Sequence, residues 1–175
     1  MTHKERSEGA GARETPGRAL VKTITVAATP EQVFAFFIDP VKMLRWIGTE
    51  VELEPRPGGI FRVKPNGVDV IAGRYVEVTP PSRVVFTWGF EGSGQALPAG
   101  GSIVEITLRP VAGGTEVRLV HRALPDNMIE PHGAGWEHYL ARVASSAEGR
   151  DPGPDALASA TVRHSRVVDQ RVSDA

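Results

Sequence analysis

A chain of 175 residues holds one ordinary domain with roughly thirty to fifty residues to spare. Its 20 basic and 21 acidic side chains leave a formal charge of −1, so no global field calls for nucleic acid or an anionic membrane. Zero cysteines exclude a disulfide framework, a thiolate zinc site, an iron–sulfur cluster and a cysteine nucleophile. No run of about twenty apolar residues could span a bilayer, and the first residues lack the apolar segment of a secretory signal. The expectation is a cytoplasmic, single-domain protein without a cofactor.

Residues 1–19 are mostly Gly, Ala, Glu and Arg without apolar periodicity and read as a flexible leader. Leu20–Val26 alternates and is rich in Val, Ile and Thr, which suits a first strand. Thr29-Pro30-Glu31-Gln32 then opens a helix. Thr29 can cap it, Pro30 fits its first position, and Gln32 completes a capping box. Asp39-Pro40 repeats that logic for a second short helix through Met43, Leu44 and Trp46. From there to Arg122 the period switches to two, with strands expected at Thr49–Glu54, Ile60–Lys64, Val68–Thr79, Arg83–Phe90, Ser102–Arg109 and Thr115–Arg122. Pro57-Gly58-Gly59 and Gly113-Gly114 supply turns, and Asn66-Gly67 predicts a type I′ hairpin. The glycine-rich stretch 91–101 joins two strands and carries no following Lys-Ser/Thr, so it does not read as a phosphate loop.

Alternation assigns the faces. Val84, Phe86, Trp88, Val104, Ile106, Leu108, Val117, Leu119 and His121 share one side; Thr87, Glu105, Thr107, Glu116 and Arg118 stand opposite. One apolar and one wet face describe an antiparallel sheet covered on a single side. The cover is a helix of about seventeen residues that opens at Glu130-Pro131-His132 and continues to Glu148, near 25 Å long at roughly 1.5 Å per residue, with Trp136, Tyr139, Leu140, Val143 and Ala147 on its apolar stripe. His138 falls on its solvated side. From Gly149 the composition turns to Pro, Gly and Asp, which predicts a mobile tail over 149–175 with at most a weak helix near Leu157–Val168. Deleting 152–175 should then change stability by no more than roughly 0.5 kcal/mol. The fold class is α+β, a curved antiparallel sheet wrapped around a long C-terminal helix, with two short helices after the first strand and a domain at 20–148.

That order resembles the SRPBCC (START/Bet v 1-like) superfamily, in particular the group homologous to the C-terminal domain of the Hsp90 ATPase activator. The residues that carry the likeness are Thr29-Pro30-Glu31-Gln32-Val33-Phe34, Asp39-Pro40 with Leu44 and Trp46, and Pro57-Gly58-Gly59. Gly73 with Glu77 and Pro80, Arg83 before Phe86-Thr87-Trp88, Leu119-Val120-His121 and Gly135-Trp136 complete it. The likeness spans about 20–148. The family commonly carries two tryptophans in tandem where this chain has Trp46-Ile47, so a hydrophobic role survives there but not stacking by a second ring. The eukaryotic activator also has a separate N-terminal domain, for which the leader is too short.

The resemblance implies a helix-grip fold whose helix–sheet space is commonly a ligand cavity. Phe34, Phe37, Trp46, Phe61, Val63, Phe86, Trp88, Ile106, Leu119, Trp136 and Leu140 are the residues expected to line or fill it. His121 ends the last strand on the apolar face and is the expected polar anchor or proton carrier, held neutral by burial. His132 precedes Trp136 by four positions and shares its helix face. The histidines lack metal-ligand spacing and no G-x-S-x-G is present, so neither a metal nor a catalytic residue is expected. Arg74 and Glu77 differ in strand parity, so at most one points inward. The leading reading is a protein that binds an apolar or aromatic small molecule. An interaction module linked to Hsp90 would instead need a solid core and an exposed patch. A cyclase- or aromatase-like enzyme would need two titratable groups converging in the cavity, with His121 the best candidate.

Overall fold

The computed structural model describes residues 17–160. Most of the leader and residues 161–175, including most of the weak helix expected there, lie outside them. Seven strands form one antiparallel sheet: β1 (Leu20–Val26), β2 (Glu50–Leu53), β3 (Ile60–Lys64), β4 (Ile71–Thr79), β5 (Arg83–Trp88), β6 (Ser102–Val111) and β7 (Gly114–Arg122). Their spatial order is β1-β7-β6-β5-β4-β3-β2, so each strand from β2 to β7 lies beside its sequence neighbours and β1 closes on β7. Between β1 and β2 come α1 (Pro30–Phe34), a 3₁₀ turn (Ala35–Phe37) and α2 (Pro40–Met43). The long helix α3 (Asp126–Ala147) covers the inner face, and a short α4 (Ala156–Ala160) follows. This is the helix-grip fold.

The helix starts follow the local chemistry. Thr29 Oγ1 accepts from Gln32 N, and Gln32 Oε1 accepts from Thr29 N, the reciprocal capping box. Asp39 Oδ1 accepts from Val41 N and Lys42 N, with Pro40 at the first helical position. The carbonyls of Phe36 and Phe37 in the intervening 3₁₀ turn accept from Trp46 Nε1 and Tyr75 Oη, both at 2.8 Å and both buried. Two large aromatics therefore hold the bend by their only polar atoms, which would otherwise be orphaned in the core.

Four expectations need correction. The long helix begins at Asp126 rather than Glu130 and has 22 residues, so Pro131 lies in its second turn and costs the bond that Asn127 O would have received. Asn66-Gly67 forms no type I′ turn, since neither residue has the positive φ it requires. Instead Asn66 Oδ1 accepts from Val68 N and Asp69 N while its amide donates to Asp69 Oδ2, and β4 starts only at Ile71. The outer face is not uniformly wet. Val85 and Val120 point outward yet are buried, flanking Glu105 in the register, and the ion-paired Glu77, Arg83, Glu105 and Arg122 stand around them with their stems excluding water. Last, a bulge at Val76 shifts the β4 register between Tyr75 and Glu77, so Arg74 and Glu77 share the outer face despite their odd spacing.

Candidate functional site

The apolar interior is largely filled. Phe34, Phe37, Trp46, Phe61, Val63, Phe86, Ile106, Leu119 and Leu140 are all buried in one cluster with Trp88 and Trp136. Phe61 and Phe86 stack with centroids 4.1 Å apart, and Trp46 meets Phe37 edge-on at 5.7 Å.

His121 sits inside this packing, fully buried. Trp136 Nε1–H donates to its Nδ1 at 3.0 Å, so Nδ1 carries no proton in that bond. The neutral ring must then hold its proton on Nε2, which donates to Ser102 Oγ at 2.7 Å. Ser102 in turn donates to the Trp88 carbonyl at 2.8 Å. The relay Trp136 → His121 → Ser102 → Trp88 clips α3 to β7, β6 and β5, and leaves neither ring nitrogen free. Burial, with His132 nearby, pushes the His121 pKa down to about 3.

Space for a ligand lies beside this relay. A pocket of about 410 Å³ opens between α3, the start of β4 and the end of β5. Trp88, Phe90 and Ile71 form one wall, and His132, Trp136 and Tyr139 of α3 form the other. His132 is half-buried, with its ring 6.4 Å from that of Trp88 and 6.2 Å from that of Phe90. Its Nδ1 lies 3.0 Å from the Met128 carbonyl and so carries the proton there. Burial lowers its pKa despite that bond, and the neutral ring leaves Nε2 as a bare acceptor. A larger hollow of about 550 Å³ lies along Arg62, Arg74, Thr87 and Glu91. It is a furrow on the polar outer face crossed by the Arg62–Glu91 ion pair, and its chemistry is that of solvated charge.

The chain does not leave the domain at Gly149. Arg142 donates to the carbonyls of Pro152, Gly153 and Pro154 at 2.9–3.3 Å and, through Nε, to Trp46 O at 3.0 Å. His138, expected in solvent, is half-buried with Nε2 2.8 Å from Asp155 Oδ1, which also caps α4 through Leu157 N. The strap so held brings Leu157 into the pocket wall. Prolines suit this segment because their missing N–H groups leave nothing unpaired while their carbonyls serve Arg142. Burial and the Asp155 carboxylate raise the pKa of the Tyr139 phenol.

Of the residues expected to line the cavity, only Trp88, His132 and Trp136 line this pocket, where His138, expected on the solvated side of the helix, joins them. Ser102, Phe90, Arg142, Asp155 and Leu157 escaped that reading. Tyr139 was legible only as part of the helix stripe, and nothing in the composition of the tail marks Leu157.

Residues 27–148 match the family described as Activator of Hsp90 ATPase homolog 1-like protein. The chain belongs to that family, and with it to the SRPBCC superfamily. Among solved structures, the AHSA1-like protein from Rhizobium etli is 43% identical over 80% of this chain and 88% of its own, with a TM-score of 0.64. CalU16 from Micromonospora echinospora is 25% identical over 83% of this chain and 82% of its own, with a TM-score of 0.63. The Aha1 dimer from Colwellia psychrerythraea, at 17% identity over 75% of this chain and 96% of its own, shares the fold with a TM-score of 0.65. No curated protein matches the chain. No helix among the described residues is long and apolar enough to cross a membrane, and none of their His, Asp and Glu side chains group as a metal site.

Proposed function

We propose that this protein binds an apolar or aromatic small molecule in the pocket between α3 and the β4–β5 end of the sheet. The observation that carries the reading is the wall itself: Trp88, Phe90, Trp136 and Tyr139 surround about 410 Å³, with the half-buried His132 among them. Apolar pockets of that volume with few polar groups suit small ligands. The polar anchor of this reading is His132. His121 lies behind the wall with both nitrogens committed, so it supports the fold of the site and offers nothing to a ligand. The same commitment weighs against a cyclase-like mechanism built on His121, which would need a free ring nitrogen to move a proton.

Gly135 gives a direct test. It lines the pocket, and a Cβ added there would meet nothing within 4 Å. Gly135→Leu should fill the pocket while raising helix propensity. An apolar fluorescent probe should bind the parent protein with one-to-one saturation and fail to bind Gly135→Leu, whose thermal midpoint stays equal or rises. Undiminished saturable binding to the plugged variant would place the ligand elsewhere.

A further inference from the structure

Asn66-Gly67, which reads from the sequence as a type I′ hairpin and forms no such turn, carries a different chemistry. Asparagine amides are thermolabile, and a following glycine leaves the next backbone nitrogen unshielded by any side chain. That nitrogen, on Gly67, can attack Asn66 Cγ. The new N–C bond closes a five-membered imide, and the side-chain nitrogen departs as ammonia. Water then opens the ring at either carbonyl, leaving aspartate or iso-aspartate at position 66. Gly67 itself puts nothing in the way: it is exposed, and a Cβ built there would meet nothing within 4 Å.

Resistance comes from Asn66. Its side chain is buried, the residue being only 2% exposed, and both its polar atoms are engaged. Oδ1 accepts from Val68 N at 2.8 Å and from Asp69 N at 2.7 Å. Nδ2 donates to Asp69 Oδ2 at 3.0 Å. Ring closure sets the side-chain torsions of Asn66 anew, so this clamp must open first, and Nδ2 must give up Asp69 before it can leave. The clamp is local. β4 begins only at Ile71, and Val68 is exposed, so the connection can open without the sheet coming apart.

We propose that Asn66 is a site of spontaneous deamidation that the folded connection between β3 and β4 suppresses, with Asp69 holding the leaving nitrogen in place. The native chain keeps its amide, and a chain that opens at this connection loses it. Neither product can remake the bond to Asp69, because the nitrogen that donated it is gone.

The test ages the full chain in mildly alkaline buffer, once native and once in guanidinium chloride. Peptide mass spectrometry follows the amide at position 66. The unfolded chain should convert roughly a hundredfold faster than the native one, since three hydrogen bonds must open together in the fold. Asp69→Ala should convert roughly tenfold faster than the parent when native, and at the parent's rate when unfolded. Equal native and unfolded rates in the parent would overturn the protection. An unfolded parent that keeps its amide would overturn the site. A native Asp69→Ala that converts no faster than the parent would overturn the role of Asp69. The comparison of native with unfolded parent needs no variant, so a poorly folded Asp69→Ala would not spare the proposal.

Discussion

The His121 relay makes a quantitative prediction about acid stability. In the folded protein the ring is neutral with a pKa of about 3, against 6.5 when free. A base whose pKa is lowered by folding binds its proton more readily when unfolded, so its contribution is fully present above pH 6.5 and is lost as pH falls toward 3. Between about pH 7.5 and about pH 5 that loss comes to about 2 kcal/mol for this one residue. Replacing it by His121→Phe removes the titration and also the acceptor for Trp136 Nε1–H. The orphaned indole should cost about 1–3 kcal/mol near neutrality, where the parent is fully stabilised. The gap between the two proteins should therefore shrink by about 2 kcal/mol at about pH 5 and nearly close. His132 and the ion-paired Glu77, Glu91 and Glu105 titrate in both proteins and cancel from the difference to first order. Urea unfolding of both proteins at the two pH values, with m-values checked for constancy, measures it. An identical fall in stability for parent and variant would show that His121 is not held neutral in the fold, and the proton assignment along the relay would go with it.

Truncation after Arg150 removes the carbonyls that Arg142 binds and the Asp155 partner of His138, so it should cost about 1–3 kcal/mol in chemical denaturation, more than a loose tail would. The same truncation takes Leu157 from the pocket wall and should speed probe dissociation in stopped-flow displacement. Tyr75→Phe leaves the buried Phe37 carbonyl without its donor and should cost about 1–2 kcal/mol, with little change in the far-ultraviolet spectrum. Gly73→Ala should be worse, above about 3 kcal/mol by thermal unfolding, because a Cβ there would collide with the Thr87 carbonyl of the neighbouring strand.

Much of this fold was legible because its signals are local. A strand alternates because successive side chains face opposite sides, and Val84, Phe86 and Trp88 declare the inner face of β5 without knowledge of any partner. The caps at Thr29 and Asp39 are likewise written within four residues. Composition also excluded thiol chemistry outright. What the sequence could not determine depends on which atoms meet across the fold. His121 reads as an anchor until Trp136, 15 residues on, donates to one nitrogen and Ser102, 19 residues back, takes the other. The bulge at Val76 reverses the parity argument for Glu77, since one extra residue flips every side chain beyond it. The tail looked free because Pro and Gly stop helices, but their carbonyls are what Arg142 binds, and Arg142 reaches them only once α3 has been laid across the sheet. Hydrogen-bond satisfaction is a property of the whole packed structure. The same packing commits both ring nitrogens of His121 within the protein but only Nδ1 of His132.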